Sequence, residues 1–312
     1  MKTSVVLATY NGEKYIEKQL LSILEQTVLP YEIVITDDSS EDMTLNIVYS
    51  YVEKYTSVKW IVTHNQNKGF VSNFINGIIK STGDVIFLSD QDDEWKSDKI
   101  LNYVKIFDAY RGATLIHGDI DIVDMDGNIL KTKTQHYKKG VNKFSFSDFI
   151  NKPNYPGMSI AFKKAVFDKN RDFVFNNLSN IKTHDYLLVM LSLFEGEVYT
   201  VSKSYCNRTF TGENVALRET NRSKLIRQDR INSAKTYINQ YTLVLNFLSS
   251  HFMLSYEDEK NKLSRQLNAQ ECRLDFLENG GLKKGVCLVR NVQYLPSFKS
   301  MITDIFAKKF GH

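Results

Sequence analysis

The chain has 312 residues, of which 42% are hydrophobic and 24% are charged, and its formal net charge is +4. These values are those of an ordinary globular protein and exclude long disordered, collagen-like and coiled-coil chains. The charge excess is small and gives no reason to expect a nucleic-acid partner. The three cysteines, Cys206, Cys272 and Cys287, show no paired spacing. We therefore expect no disulfide framework, no cysteine zinc site, and a reducing, cytoplasmic compartment.

The first 110 residues alternate short β-rich runs with helical patterns. Strands are predicted at residues 4–8, 32–36, 58–62 and 84–89. Helices are predicted at residues 15–26, around 45–52, at 69–79 and at 96–110. This order is typical of an α/β fold, with a mainly parallel sheet flanked by helices. Ligands of such sheets bind beyond the carboxyl ends of the strands.

The rest of the chain is less regular. Residues 115–123 are predicted as a strand with a turn at Asp126–Gly127, followed by a loop at 153–157 and a short strand at 158–162. A helix at 186–194 and a strand at 197–201 come next. From about residue 223 the pattern is helical and charged, so we place a boundary near 222. No run of about 18 apolar residues occurs, so we expect a soluble protein with no spanning helix.

The strongest chemical signal is SDQDDEW at residues 89–95. Three carboxylates at the end of an apolar strand repel one another unless a positive charge lies among them. A hard divalent cation held by one or two carboxylates, phosphate oxygens and water fits this composition. The alternative is a solvated acidic turn that caps the next helix. The buried strand before it, and polar residues at two other strand ends, favour the metal.

Polar residues also follow the first two strands. Asp37–Asp38 precede two serines and can cap a helix, but a carboxylate after the second strand can also bind a ribose hydroxyl or a base N–H. Residues 8–12, ATYNG, lack the glycines of a dinucleotide-binding loop, and no GxxxxGK[ST] motif occurs. A Rossmann dehydrogenase or a P-loop NTPase is therefore disfavoured.

The other candidate motifs give little support to any further function. Acidic residues at 119–127 lack the spacing of a calcium-binding EF-hand, which favours a plain hairpin, although Asp119 could line a sugar pocket. Ser89 has no G-x-S-x-G context, so serine hydrolysis is unsupported. Several histidines are scattered along the sequence, and surface or core positions are the default for them. They are His64, His117, His136 and His251.

Four segments together are similar, in order and spacing, to family-2 glycosyltransferases of the GT-A fold. They read SVVLATYNGEKYIEKQLLSILEQT, EIVITDDSS, NKGFVSNFINGI and GDVIFLSDQDDEW. The resemblance covers about residues 3–110 and continues more weakly to about 215. SDQDDEW and NKGF look most like bacterial rhamnosyltransferase-type enzymes of polysaccharide assembly. The resemblance implies a GT-A domain over 1–222, with a nucleotide-binding half (1–112) and an acceptor half (113–222), before a helical extension (223–312).

The resemblance also implies roles for individual residues. Asp92 matches the metal ligand of the family's DxD element, which holds Mg²⁺ or Mn²⁺ on the donor diphosphate, and Asp90 is expected to face the sugar or ribose. The residues implied to bind the nucleotide are Ala8, Thr9, Tyr10, Asn11, Asp38, Lys68, Gly69, Asn73, Asp90 and Arg208.

On the acceptor side, the resemblance points to Gly157, Met158 and His184. Asp185 matches the carboxylate that would take the proton of the acceptor hydroxyl during inverting transfer. The alternative role for Asp185 is a helix N-cap. The chain departs from the family at Phe210, where a histidine is expected two residues after Arg208 in a loop that closes over the diphosphate.

The implied activity is inverting, metal-dependent transfer of a sugar from a dTDP- or UDP-linked donor to a saccharide or lipid-linked saccharide, in bacterial cell-surface polysaccharide synthesis. Alternatives are a nucleotidyltransferase or sugar-phosphate enzyme, and a catalytically silent nucleotide- or carbohydrate-binding scaffold. The basic stretches of residues 223–312 fit a solvated face, a peripheral contact with the inner face of the membrane, or a homodimer interface.

Overall fold

The computed structural model describes residues 1–65, 68–124, 126–133, 139–151, 155–209, 226–252, 256–295 and 297–310. The strands are β1 (Thr3–Thr9), β2 (Glu32–Asp37), β3 (Lys59–His64), β4 (Val85–Asp90), β5 (Asp93–Trp95), β6 (Ala113–Val123), β7 (Ile129–Lys133), β8 (Val141–Phe144), β9 (Ile160–Lys163) and β10 (Glu197–Thr209). The helices are α1 (Ile16–Leu24), α2 (Thr44–Lys54), α3 (Phe70–Lys80), α4 (Lys99–Ala109), α5 (Phe146–Asn151), α6 (Lys164–Lys169), α7 (Arg171–Asn176), α8 (His184–Glu195), α9 (Arg227–His251), α10 (Glu257–Asn279), α11 (Leu282–Arg290) and α12 (Phe298–Phe310).

Within the described ranges, ten strands form one sheet. Eight follow the order β3-β2-β1-β4-β9-β6-β10-β5, with β7 paired to β6 and β8 to β10. The expected parallel sheet is found over β3-β2-β1-β4. Beyond β4 the sheet is mixed, because β9 runs antiparallel to both β4 and β6, whereas β10 is parallel to β6. The register pairs Thr9 with Asp37 and Ala8 with Asp90, so the polar ends of three strands meet at one edge.

The core explains why these segments fold as they do. Helix α1 places Ile16, Leu20 and Ile23, spaced four and three residues apart, fully inside. They pack in one cluster with the apolar side chains of β1 and β2, such as Leu7 and Ile35. The amphipathic periodicity of the sequence therefore identifies the buried face, and burying these aliphatic side chains stabilises the fold by about 1.5–3 kcal/mol each.

Some local expectations are wrong. The cluster at residues 37–40 does not cap α2, which begins at Thr44 with its N–H donated to Asp42 Oδ1 over 3.0 Å. Strand β10 runs to Thr209 rather than to 201, so Arg208 lies in a strand and not in a loop. Phe210 and the predicted boundary near 222 lie outside the described residues, as does part of the predicted loop at 153–157.

The chain divides into two compact units. The first comprises Met1–Asp172 and Thr183–Thr211 and holds the sheet, and the second comprises Phe173–Lys182 and Gly212–His312. In the second unit, α9 and α10 pack together through buried side chains such as Val244. None of the helices in the described ranges has the length and apolarity that a bilayer crossing needs.

The expectation of unpaired cysteines is wrong for two of the three. Cys272 in α10 and Cys287 in α11 form a disulfide, with their Cα atoms 6.0 Å apart. The chain reverses between these helices at Gly280–Gly281, where both residues have positive φ values (68° and 98°) that glycine adopts readily. The pair forms through this helix hairpin, which the spacing of cysteines along the sequence does not reveal. Cys206 is free and buried.

Candidate functional site

The carboxyl ends of β1 and β2 are joined by hydrogen bonds. Thr9 Oγ1 donates to Asp37 Oδ1 over 2.8 Å, and the Asp38 N–H donates to the Thr9 carbonyl over 2.9 Å. Thr9 is buried and Ala8 is half-buried. Thr9 and Asp37 therefore use their polar atoms inside the protein, whereas Asp38 sits one residue further out, at the open edge.

Asp38 is oriented by the loop before α3. Its Oδ1 accepts from Asn65 Nδ2 over 2.8 Å, and its Oδ2 accepts from the Gly69 N–H over 2.9 Å. Gly69 has φ 121°, a conformation that a residue with a side chain rarely adopts. A carboxylate has about four lone-pair sites, so Asp38 keeps acceptor capacity for a ligand. Lys68, beside Gly69, is exposed.

Asn73 of α3 lies beneath this edge and is almost fully buried. Its Oδ1 accepts from Thr36 Oγ1 over 2.8 Å, and its Nδ2 donates to the Thr9 carbonyl over 3.2 Å. The side chain thus ties β1 to β2. Its contacts are those of a residue that positions the strand ends.

The loop after β1 is fastened to the acidic segment by Gln91, a role that sequence reasoning missed. The Tyr10 N–H donates to Gln91 Oε1 over 2.8 Å, and Gln91 Nε2 donates to the Tyr10 carbonyl over 2.9 Å. A Cβ at Gly12 would lie 2.2 Å from Gln91 Oε1, so the glycine of the ATYNG segment makes room for this amide. The Tyr10 side chain is 56% exposed. Asn11 has φ 45° and accepts from the Glu41 N–H over 2.9 Å.

Arg208 joins the acidic segment to β10. Its Nη2 lies 3.6 Å from Asp90 Oδ2, and its Nε donates to Asp93 Oδ1 over 3.3 Å. Arg208 and Asp93 are opposite each other in the antiparallel pairing of β10 and β5. Oδ2 of the buried Asp93 has no hydrogen-bond partner among the described residues. One guanidinium therefore faces more carboxylate than it can neutralise.

The electrostatics of this cluster reflect that imbalance. Burial raises the pKa of Asp93 well above its ordinary value, with Arg208 opposing and Asp90 adding to the increase. Although a third of the Asp90 side chain is open to solvent, the surrounding protein and the Asp92 carboxylate raise its pKa as well. Burial works to lower the pKa of Arg208, but Asp93 and Asp90 raise it above its usual value. A second cation beside these carboxylates would be favourable.

A buried lysine lies close to the acidic cluster, and the sequence carries no signal for it. Lys99 Nζ donates to the Met158 carbonyl over 2.6 Å and lies 3.5 Å from the centroid of the Trp95 ring. Burial lowers the pKa of Lys99, while Cys206 and Asp93 act to raise it. The Met158 side chain is also fully buried, and its carbonyl holds Lys99 in place.

His184, at the start of α8, packs against aromatic side chains. Its ring stacks on Phe74 with centroids 3.8 Å apart, and it meets the edge of Phe70. Burial lowers the pKa of His184 to about 4, against the pull of Asp90, so the ring is neutral at physiological pH. A Cβ at Gly157 would lie 2.7 Å from His184 Nε2, so this close approach requires glycine. Neither ring nitrogen has a hydrogen-bond partner within the described part of the chain.

Asp185 lies in the first turn of α8, where Thr183 occupies the N-cap position. Its Oδ1 accepts from the Tyr186 N–H over 2.7 Å. Burial raises the pKa of Asp185, while the Thr183 hydroxyl, the Tyr186 N–H and the Arg208 charge oppose the increase. The N-cap role that the sequence allowed for Asp185 is therefore taken by another residue. A carboxyl group with a raised pKa is suited to accept a proton.

No group of three or more histidine, cysteine, aspartate or glutamate side chains is arranged as a metal cage in the described residues. Asp121, in the acidic segment that resembled a calcium site, pairs with Lys96 Nζ at 2.5 Å. The carboxylates of residues 90–93 are chemically suited to Mg²⁺ or Mn²⁺, but they would need ligand oxygens to complete a shell. Phosphate groups and water usually supply these oxygens.

Comparisons with known proteins identify the family to which this chain belongs. Residues 4–171 match the family model described as glycosyl transferase family 2. A glycosyltransferase of Nostoc sp. is 26% identical over 256 residues, which are 79% of this chain and 77% of the relative. The dTDP-rhamnosyl transferase RfbG of Shigella flexneri is 32% identical over 189 residues, 58% of this chain and 63% of RfbG. The GalNAc(5)-diNAcBac-PP-undecaprenol beta-1,3-glucosyltransferase of Campylobacter jejuni is 25% identical over 170 residues, 54% of each chain. The match thus spans less than two thirds of the latter two relatives.

Two solved structures resemble the whole chain. S. aureus TarS 1-349 in complex with UDP-GlcNAc has a TM-score of 0.59 and 17% identity, covering 99% of this chain and 91% of the other. The mannosyltransferase PcManGT from Pyrobaculum calidifontis, in complex with GDP-Man and Mn²⁺, has a TM-score of 0.53 and 14% identity, covering 98% and 84%. At these identities the likeness supports the fold alone.

Proposed function

Because this chain belongs to glycosyltransferase family 2, has the GT-A fold and is therefore a glycosyltransferase, we propose that it transfers a sugar with inversion from a dTDP- or UDP-linked donor. The acceptor is a hydroxyl of a saccharide or lipid-linked saccharide in bacterial cell-surface polysaccharide synthesis. The names of the similar proteins support this choice, since one acts with a dTDP-rhamnosyl donor and another on an undecaprenol-linked saccharide.

A single observation carries the proposal: the electrostatic field of Arg208 connects the two halves of the reaction. Arg208 lies against Asp90 and Asp93, and its charge also acts on Asp185. Asp90 in turn acts on His184. These interactions support the proposal that the acidic segment meets the donor and that Asp185, about 95 positions further along the sequence, activates the acceptor in the same cleft.

In this proposal the nucleotide lies along the ends of β1 and β2. Asp38 has acceptor capacity left for the ribose or base, and the exposed Tyr10 ring offers a flat surface to the base. Arg208 and the exposed Lys68 would supply positive charge to the diphosphate. Asn73 and Thr9 hold the strand ends rather than the ligand.

Asp92, assisted by Asp90, would hold the divalent metal ion, Mg²⁺ or Mn²⁺. The acidic cluster supports this assignment, because burial and the neighbouring carboxylates raise the pKa values of Asp90 and Asp93, and a bound cation would favour their ionised forms. When bound, the ion would stabilise negative charge on the departing diphosphate. Arg208 neutralises part of the same cluster.

Asp185 would be the general base in the proposed reaction. Inversion requires that a base remove the proton of the acceptor hydroxyl on the face of the sugar opposite the leaving group. Asp185 is half-buried, and the surrounding protein raises its pKa, which makes the carboxylate a stronger base than an exposed aspartate. His184 and Gly157 would shape the acceptor side beside it.

Two alternatives are less well supported. A nucleotidyltransferase or sugar-phosphate enzyme is expected to have a glycine-rich phosphate loop bearing a lysine, which residues 8–12 do not form. A catalytically silent scaffold would have no need for the half-buried Asp185 with its raised pKa, since such a group costs folding free energy. We favour a role for the second unit in holding a cytoplasmic enzyme on the inner face of the membrane over a role as a homodimer interface.

The proposal is tested by measuring nucleoside diphosphate release from UDP- and dTDP-sugars in the presence of lipid-linked saccharide, with Mn²⁺, Mg²⁺ or EDTA. We expect release from one donor, dependent on metal and acceptor, and NMR of the product should show an inverted anomeric configuration. A product that retains the donor's configuration would contradict the assigned mechanism. Binding of the donor without any transfer would favour the scaffold.

A further inference from the structure

The outer faces of the last two helices are apolar. Helix α11 exposes Leu282, Val286 and Val289, which recur at spacings of four and three residues along one side, and Leu282 is 88% exposed. Single exposed apolar residues are common on soluble proteins, but a repeated stripe marks a binding surface. This stripe lies opposite Leu288, the residue that α11 buries.

Helix α12 repeats the arrangement. Its exposed apolar residues are Phe298, Ile302, Ile305 and Phe306, with Phe298 63% exposed. On the inner side, Met301 packs with Leu288 of α11 and with Ala269 and Leu295 in one small core. Both helices thus bury one apolar face on the same core and leave a second one exposed, whereas a surface helix of a soluble protein usually exposes a polar face.

The charge around these stripes has one sign. Residues 281–312 contain six lysines and arginines and one acidic residue, so the remaining 280 residues hold 34 basic and 35 acidic side chains. The net charge of +5 in this segment therefore accounts for the whole positive excess of the chain. The acidic residue, Asp304, is fully buried against Arg230 and Arg273. Lys283, Arg290 and Lys299 are exposed beside the apolar residues.

This combination favours an anionic lipid surface over a second copy of the chain. A two-fold contact between identical faces would bring lysines against the same lysines of the other copy, with no exposed carboxylate on either helix to pair with them. A membrane with anionic head groups supplies both the negative charge and the apolar interior that the two faces require.

We propose that the outer faces of α11 and α12, defined by Leu282, Val286, Val289, Phe298, Ile302, Ile305 and Phe306, form a docking surface for anionic phospholipid. The apolar side chains enter the boundary between head groups and acyl chains, and the basic side chains contact the phosphates. This docking surface deepens the proposed function. Only the purpose of the surface, which is to bring the enzyme to a lipid-linked acceptor, rests on that function.

Vesicle flotation of the full chain tests the surface without any sugar transfer. Wild-type protein should float with vesicles containing about one third phosphatidylglycerol in phosphatidylcholine, and float poorly with phosphatidylcholine alone. Raising salt from about 0.15 M to about 1 M should weaken the binding. Lys283→Glu with Lys299→Glu should reduce partitioning more than about 25-fold, since each lysine near an anionic surface contributes about fivefold.

Apolar substitutions test the second half of the surface. Phe298→Ser with Ile302→Ser should reduce partitioning more than about tenfold. Matched controls change residues of equal type and exposure in the other unit: Lys80→Glu with Lys105→Glu for charge, and Ile129→Ser with Leu130→Ser for apolar contact. Both controls should float like the wild type. Circular dichroism of each variant confirms that the helices remain.

Three results would overturn the docking surface: no flotation of the wild type, equal losses in the control variants, or a concentration-dependent dimer that Phe298→Ser with Ile302→Ser abolishes. The thermal shift caused by UDP or dTDP is measured on the same preparations. Protein that binds a nucleotide but no vesicles refutes the surface alone, and protein that binds vesicles but no nucleotide refutes the proposed function alone.

Discussion

In the described residues, each unit holds a largely buried cluster of arginine and aspartate, and the two clusters are balanced in opposite ways. In the second unit, Arg230 and Arg273 both donate to Asp304, whose two oxygens each lie within 2.8 Å of a guanidinium nitrogen. In the first unit, Arg208 pairs with both Asp90 and Asp93, and one Asp93 oxygen has no hydrogen-bond partner in the described residues. In the first unit two carboxylates share one arginine, whereas in the second unit two arginines share one carboxylate.

The difference separates a structural role from a functional one. A carboxylate held by two guanidinium groups needs nothing further, and the helices around Asp304 are joined by it. Carboxylates that share a single arginine have raised pKa values and would be stabilised by added positive charge. The surplus in the cleft therefore suits the binding of a cation, and the cluster in the helical unit suits packing.

The largest expected effect is on the reaction. Asp185→Asn should lower the transfer rate by about 10²–10⁴-fold, because the amide cannot take the acceptor proton. The melting temperature should not fall, since the variant still accepts the Tyr186 N–H and removes a carboxyl group whose pKa is raised by burial. Transfer assays and thermal melts of the same preparation measure both quantities.

The pH dependence of the wild type sharpens this prediction. The rate should fall with acid at a higher pH than an ordinary aspartate would produce, because protonated Asp185 cannot act as a base. A matched substitution at the exposed Asp108, Asp108→Asn, should leave the rate and its pH profile unchanged. Full activity in Asp185→Asn would remove the assigned base.

The next largest effect is on stability, in the second unit. Asp304→Asn leaves the buried Arg273 and the half-buried Arg230 without a counter-charge and should reduce the free energy of unfolding by about 3–5 kcal/mol. Urea unfolding monitored by circular dichroism measures the loss. Asp275→Asn, at an exposed pair with Lys284, is the control and should change stability little. If the two variants were equally stable, the account of the Asp304 cluster would fail.

In the first unit, the corresponding substitution, Asp93→Asn, should increase stability rather than reduce it. Asp93 has a folded-state pKa well above its unfolded value, so its contribution to stability is present in acid and is lost as pH rises. Asp93→Asn should therefore gain stability relative to the wild type as pH rises above about 4, the pKa of an unfolded aspartate, in the absence of metal. Denaturant melts at several pH values measure this difference. If the variant became less stable than the wild type as pH rises, Arg208 would already compensate the negative charge of Asp93.

The smallest expected effect concerns Gln91. Gln91→Ala removes both hydrogen bonds to the Tyr10 backbone and should cost about 1–2 kcal/mol of unfolding free energy. It should also raise the KM for the donor more than it lowers kcat, because the loop after β1 loses its attachment to the acidic segment. Gln293→Ala, at an exposed position of the second unit, should change neither quantity. Calorimetry and steady-state kinetics measure these changes.

The first half of the fold could be predicted because its signal is local. Amphipathic spacing, such as that of Ile16, Leu20 and Ile23, and apolar runs, such as that of β4, identify elements without knowledge of their neighbours. The family resemblance then placed Asp90, Asp92 and Asp185 among the candidate residues. The antiparallel insertion of β9 between β4 and β6 has no counterpart in the sequence pattern.

What the sequence did not reveal depends on contacts between distant segments. The positions of Gln91 and Lys99 beside the site follow from tertiary packing, since their partners are the Tyr10 backbone and the Met158 carbonyl. The length of β10, which places Arg208 opposite Asp93, is set by pairing with β5 and β6. The disulfide of Cys272 and Cys287 likewise depends on the reversal between two helices.

The central claim, that the carboxylate surplus in the cleft binds a nucleoside diphosphate together with a divalent ion, is tested most directly by thermal shift. UDP, dTDP and GDP are each added with Mn²⁺, Mg²⁺ or EDTA to the wild type, to Asp92→Asn and to the control Asp108→Asn. One diphosphate at about a hundred times its Kd should stabilise the wild type and the control by about 2.7 kcal/mol, only with metal, and should have little effect on Asp92→Asn. Stabilisation that persists in EDTA and in Asp92→Asn, or none with any diphosphate, would contradict the claim.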